Sequence, residues 1–205
     1  MRAVMLALLW LFAVPAFAQT VPTPAATPAA PLPRVAIETT AGRIVVEVET
    51  VKAPITAANF LRYVDGKRLD GVEFYRVVKL QDHYGIVQFG LKSEPRRAFP
   101  AIRHEPTTVT GLKHTEGTIS MARNAPGTAR AEFTLMVGNQ TSLDADPAKP
   151  GDNVGYAAFG RVVEGMDVVV KILDSPIRPG AGPGAFSGEV PVAAVKVLTA
   201  RRIAP

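Results

Sequence analysis

The chain has 205 residues, 47% of them hydrophobic and 20% charged, with a formal net charge of +5 and no cysteine. Without cysteine there are no disulfides, no thiolate nucleophile and no cysteine-bound zinc, so packing alone must hold the fold. The basic excess is mild and scattered, with Lys92, Arg96, Arg97, Arg103 and Lys113 interrupted by Glu94, Glu105 and Glu116; this is a solvated surface and not the basic stripe of a nucleic-acid binder.

The N-terminal MRAVMLALLWLFAVPAFA (1–18) places one charge, Arg2, before an apolar run that ends in Ala16-Phe17-Ala18. That pattern predicts a cleaved secretory signal peptide, hence a secreted, periplasmic protein with no membrane span after cleavage. A retained anchor is the alternative, although the run is short for one. Residues 19–33, QTVPTPAATPAAPLP, alternate proline with alanine and threonine, which predicts an extended, disordered linker. Residues 34–205 are the size of one domain, with no internal repeat and an expected monomeric state.

Within that domain, Val35 and Ile37, then Ile44, Val46 and Val48, alternate around a Gly42 turn and predict a β-hairpin over 34–49. Residues 53–66 change period: Ala57, Phe60, Leu61 and Val64 share one helical face, with Pro54 at the start and Gly66 at the end. Strands are predicted at 72–78, 85–89, 117–122, 132–138 and 156–163, a second helix at 164–173 from Met166, Val169, Val170 and Leu173, and a last strand within 190–203. Many short strands with two helices do not alternate as a parallel sheet would. They predict a mainly β fold, a closed antiparallel β-barrel with two capping α-helices.

Most chemical motifs are missing. His83, His104 and His114 have no metal-ligand spacing and read as surface histidines, so neither metal nor cofactor is expected. Asn139-Gln140-Thr141 is a glycosylation sequon, relevant only in a eukaryotic secretory pathway. PGAGPGAFSG (179–188) lacks the phosphate-binding spacing and reads as a surface loop. Asp144 and Asp146 read as turn residues beside Pro147. Ser120, in TISMAR, lies in a predicted strand outside any GxSxG elbow, so a hydrolytic triad has little support.

The exception is Arg76 in FYRVVKLQDHYGIVQFG (74–90), a guanidinium flanked by Phe74, Tyr75, Val77 and Val78. Read alone, it is a side chain snorkelling over the barrel or half of a cross-strand ion pair. Three further blocks change that reading: APITAANFLRYV, GLKHTEGTISMAR with the loop and strand that follow to 137, and GYAAFGRVVEGMDVV. Together with FYRVV, and in this order over about Val35 to Pro205, they resemble the cyclophilin family of peptidyl-prolyl isomerases, secreted bacterial members most of all.

The resemblance implies an outer groove in which Arg76 is the catalytic residue and proline-containing polypeptides are the partners. An X-Pro bond rotates over a barrier of about 18–20 kcal/mol because amide resonance must break. The twisted nitrogen regains a lone pair, so a fixed guanidinium donor binds the transition state better than either planar isomer. Gln88 matches the family's groove glutamine, and Ala122 and Arg123 match a segment that presents backbone groups to the peptide. Ile86, Phe133 and Leu143 match the groove or its apolar wall, with core burial the other open reading. The chain departs from the family at several positions. KLQDHYGI replaces the usual Pro-Gly-Phe turn, so Gln88 falls twelve positions after Arg76, with Tyr84 as a candidate substitute aromatic. Glu132 stands for glutamine, Thr134 for a pocket aromatic, Ser142 for a large residue and Tyr156 for histidine. The alternative function is therefore a cyclophilin-fold peptide-binding module with weak or no catalysis.

Overall fold

The computed structural model describes residues 30–92, 94 and 96–204. The expected signal peptide and the linker up to residue 29 lie outside the described residues.

Eight antiparallel strands close into a barrel: β1 (Arg34–Thr39), β2 (Gly42–Val48), β3 (Glu73–Gln81), β4 (Tyr84–Gly90), β5 (Thr118–Met121), β6 (Glu132–Val137), β7 (Ala157–Glu164) and β8 (Val195–Ile203). Their order around the ring is β1-β2-β7-β5-β6-β4-β3-β8. The expected first hairpin forms where the sequence places it. Its turn is held by Thr39 Oγ1, which accepts from the N–H groups of Ala41 and Gly42 and donates to the Gly42 carbonyl at 2.6 Å.

Helix α1 (Pro54–Asp65) packs Ala57, Phe60, Leu61 and Val64 into the core, as their 3.6-residue spacing requires. Its own N-cap, Ala53, offers no side-chain acceptor. The free N–H groups of the first turn are instead taken by the carboxylate of Glu105, which accepts from Ile55 N at 3.1 Å, Thr56 N at 2.7 Å and Thr56 Oγ1 at 2.6 Å. Helix α3 (Met166–Leu173) contributes Val169, Ile172 and Leu173 to the same core. The expectation of two helices is corrected by a third, α2 (Thr107–Thr110), one turn between Pro106 and a left-handed Gly111. Four residues are too few to carry a readable period.

The barrel interior is aromatic. Phe133 lies 5.1 Å from Phe60, 5.5 Å from Phe89 and 6.1 Å from Phe159, centroid to centroid, and Phe74 lies 4.8 Å from Phe89. These rings come from β3, β4, β6, β7 and α1 and are buried together inside the ring of strands. Strand β3 pairs with β8 only at Glu73 and Phe74. Beyond that point its outer side is covered by the segment 176–192, whose Glu189 carbonyl accepts from Val77 N at 2.8 Å.

Candidate active site

The outer face of β3 is set by a β-bulge. The register shifts between Phe74, which pairs with Phe89, and Arg76, which pairs with Gln88, so Tyr75 is the additional residue and shares the outward side with Arg76 while Phe74 and Val77 point inward. The interval from Arg76 to Gln88, where KLQDHYGI replaces the usual turn, is a β-hairpin with a second register shift between Lys79 and Gln81: Val78 faces Ile86, Lys79 faces Gly85, and the chain reverses at Asp82 and His83. Twelve positions of sequence therefore bring Arg76 and Gln88 directly opposite each other.

Four side chains on this face form one chain of hydrogen bonds. Arg76 Nη1 donates to Gln88 Oε1 at 3.1 Å, Gln88 Nε2 donates to the Tyr75 hydroxyl at 2.6 Å, and that hydroxyl donates to Glu132 Oε2 at 2.5 Å. Burial, reinforced by the adjacent Glu132 carboxylate, pushes the Tyr75 hydroxyl far above its ordinary range, so it stays protonated and remains a donor. The sequence missed Tyr75 because strict alternation would turn it inward. The bulge reverses that.

Arg76 is held twice more. Its Nε donates to Glu189 Oε2 at 2.6 Å, and the Phe186 ring stacks on the guanidinium with its centroid 4.3 Å from Cζ. Phe186 belongs to the glycine-rich stretch 179–188 that the sequence reads as a surface loop, and Glu189 follows it directly. With Nε and Nη1 engaged, Nη2 makes no hydrogen bond among the described residues. The Arg76 side chain keeps 22% of its accessible surface.

Beside this group opens a cavity of about 510 Å³, lined by Tyr75, Gln88, Ala122, Arg123, Glu132 and Phe186 together with residues of the 124–131 loop. Of the expected site residues, Gln88, Ala122, Arg123 and Glu132 meet here. Arg76 is not among the lining residues, but the Gln88 and Phe186 side chains it touches are. The N–H of Ala122 donates to the Glu132 carbonyl at 2.9 Å. Arg123 is a fixed strut and not a solvated side chain: only 5% of it is exposed, it is paired bidentately with Asp152, and it donates from Nε to the Gly155 carbonyl at 2.9 Å.

Other expected site residues lie elsewhere. Leu143 and Tyr156 border a separate concavity on the far side of Arg123, whose Cζ is 5.0 Å from the Tyr156 ring. Phe133, on the inward side of β6, belongs to the barrel core described above. Thr134 faces outward, in register between Gln88 and Ser120, but is almost fully buried. Ile86 and Tyr84 share the outward side of β4 with Gln88. Tyr84 pairs with Gln81 at the hairpin tip, four residues from Gln88 and so roughly 13 Å away along a strand rising about 3.3 Å per residue. It does not stand in for the missing aromatic. Phe186 does line the cavity.

The strand serine has a histidine after all. His114 Nε2 lies 2.9 Å from Ser120 Oγ, and its Nδ1 lies 2.8 Å from Asp144 Oδ1. His114, expected at the surface, is fully buried, as is Ser120, and burial pushes the imidazole below its ordinary value, with Asp144 opposing the shift. With no surface exposed on the hydroxyl, this Ser-His-Asp line ties the 114 and 144 loops to the outer side of β5 and offers no nucleophile to a substrate. Among the described residues, no cluster of three or more acidic or histidine side chains could hold a metal, and no helix is long and apolar enough to cross a membrane.

Residues 34–201 match the family model described as cyclophilin type peptidyl-prolyl cis-trans isomerase/CLD. Similar proteins include the peptidyl-prolyl cis-trans isomerase cyp18 of Streptomyces antibioticus, 34% identical over 168 residues, covering 82% of this chain and 96% of that protein. The peptidyl-prolyl cis-trans isomerase of Acinetobacter baylyi is 34% identical over 143 residues, covering 69% of this chain and 72% of its own length. The barrel also superposes on the crystal structure of a cyclophilin type peptidyl-prolyl cis-trans isomerase of Cryptosporidium parvum in the presence of dipeptide Ala-Pro, with TM-score 0.67 and 17% identity over 84% of this chain and 99% of that one. At that identity the likeness speaks for the fold, and it agrees with the closed ring and its helices. The matched span, the sequence relatives and the barrel all lead to one conclusion: this chain belongs to the cyclophilin-type peptidyl-prolyl cis-trans isomerase family.

Proposed function

We propose that the protein isomerises X-Pro bonds in exported polypeptides, with Arg76 as the catalytic group. The observation that carries the reading is the state of that guanidinium: two of its nitrogens are fixed by Glu189 and Gln88, its Nη2 makes no hydrogen bond among the described residues, and two of the side chains it touches, Gln88 and Phe186, line the cavity. A donor held this way needs little reorganisation to meet the lone pair that appears on the proline nitrogen as the amide twists. The step requires no bond to form or break other than that hydrogen bond, and so no nucleophile. Gln88, locked between Arg76 and Tyr75, keeps the donor in register with the bound chain. Exported clients follow from the leader at residues 1–18, and sequencing the mature N-terminus checks this address, with Gln19 the expected first residue.

The central test compares residues 19–205 with the Arg76→Ala form in cis-to-trans relaxation of a short X-Pro peptide. The wild type should exceed the spontaneous rate, and the variant should lose roughly 100-fold or more in kcat while keeping its far-UV circular dichroism, the scale seen when one transition-state donor is removed. Retained activity in a folded Arg76→Ala protein would sink the assignment. Thr134 favours a second reading, a peptide-binding module, because a threonine offers the proline ring far less apolar surface than an aromatic. Losing much of one ring removes about 1–3 kcal/mol of binding at ~25 cal/mol per Å². Peptide binding with no acceleration by the wild type selects that reading.

A further inference from the structure

The glycine-rich stretch 179–188 reads from sequence as a surface loop, yet its Phe186 and the Glu189 that follows it both touch Arg76. We propose that Glu189 is a positioning residue for the catalytic guanidinium, and that Phe186 supplies the aromatic wall of the proline site that Thr134 does not. This inference rests on the isomerase reading of the same site.

The loop is built to deliver these two groups. Segment 176–192 closes on itself through Arg178 N to the Val190 carbonyl at 2.8 Å, Val192 N to the Pro176 carbonyl at 2.7 Å and Gly188 N to the Ala181 carbonyl at 2.8 Å. Glycines 182, 184 and 188 hold φ of +108°, +52° and +80°, a region open to glycine at little steric cost. At Gly182 an added Cβ would fall 2.4 Å from the Phe186 carbonyl oxygen, so the turn that presents Phe186 also needs the missing side chain. The bond from Val77 N to the Glu189 carbonyl then clamps the loop to β3, one residue from Arg76.

Geometry gives the two residues different tasks. Arginine has long, freely rotating side-chain torsions, and its fork donates usefully only when its plane is fixed. Glu189 holds Nε and Gln88 holds Nη1, from opposite ends of the guanidinium, so the plane is set before any substrate arrives. The carboxylate also offsets the arginine charge, which suits a reaction whose substrate and transition state are both neutral amides. The Arg76 guanidinium carbon lies over the Phe186 ring, 4.3 Å from its centroid, and Phe186 at the same time lines the cavity. Among the described residues it is the only phenylalanine lining that cavity, whereas Phe133 points into the barrel and Tyr84 stands at the hairpin tip. A proline ring in the cavity can therefore pack on the edge of Phe186.

The tasks separate in kinetics. Glu189→Ala should lower kcat by about 10- to 100-fold, the scale of a misplaced catalytic group, with KM within about twofold, and Glu189→Asp should recover part of the loss. Phe186→Ala should raise KM by about 5- to 50-fold, the range of a lost apolar contact, with little change in kcat. A second readout does not depend on activity: the Arg76 Nε–H resonance in ¹H-¹⁵N NMR should be shifted and slow to exchange in the wild type and lose both features in Glu189→Ala. Wild-type kcat in Glu189→Ala overturns the positioning role, and a faster enzyme on Phe186→Ala overturns the wall, making Phe186 a cover over Arg76. If the wild type does not isomerise at all, the isomerase reading fails on its own. The Nε–H signal then decides whether Glu189 fixes the guanidinium, and an unshifted, fast-exchanging signal rejects it.

Discussion

The two faces of β3, β4 and β6 are built on opposite principles. Inside, Phe74, Val77, Val87, Phe89, Phe133 and Leu135 are buried and stabilise through area and close contact, which tolerate some change of identity if volume is kept. Outside, Arg76, Tyr75, Gln88 and Glu132 form a single file of directional bonds in which each donor has one acceptor, and removing a member leaves its neighbour misdirected. The same strands thus carry a face that determines whether the protein folds and a face that determines what it does. Strand alternation keeps the two independent, except at Tyr75, where the bulge lends one residue to the outer side.

The largest effect should break the inner face. Phe133→Ala removes a ring in contact with four other aromatics and should cost about 3–5 kcal/mol in chemical denaturation. If it instead removed isomerase activity from a stable protein, the division of faces would be wrong. Arg76→Ala should show the reverse pattern, its loss of stability limited to roughly 1.5–3 kcal/mol for bonds to a charged group in a partly exposed site, with activity abolished. The smallest effect concerns His114, which belongs to neither face. Its proton affinity is depressed in the folded state, so below its ordinary value of 6.5 the unfolded chain binds the proton that the folded chain refuses. Stability should therefore be fully present above pH 6.5 and fall as pH drops below it, by at most about 1.4 kcal/mol per pH unit, until the folded-state imidazole also titrates. Denaturant midpoints between pH 7 and 5 measure this, and His114→Gln, whatever its absolute stability, should flatten the slope. A slope unchanged in the variant would place its origin elsewhere.

The barrel and its two longer helices were legible because they rest on local periods. Val35, Ile37, Ile44, Val46 and Val48 alternate, and Ala57, Phe60, Leu61 and Val64 recur at helical spacing. The same alternation puts Phe133 with Leu135 and Val137, all apolar, against Glu132 and Thr134, which is why Phe133 faces inward although its position resembles a groove residue. What stayed hidden was non-local. Glu105 caps a helix about 50 residues before it, and His114 is buried because Asp144, 30 residues on, meets its imidazole. Glu189 reaches Arg76 across 113 positions, and nothing in a glycine-rich composition says where such a loop lands. The bulge at Tyr75 is likewise invisible to a period of two.

The closed ring has a consequence for the unfinished chains that the proposed function would bring to it. Such chains expose strands in search of a partner, and an open sheet edge would nucleate their aggregation by extending into them. Here every strand has neighbours on both sides, and the one unpaired stretch of β3 lies under the loop that carries Glu189. Under the proposed function, a client would meet no open edge in the ring that could recruit it as a ninth strand.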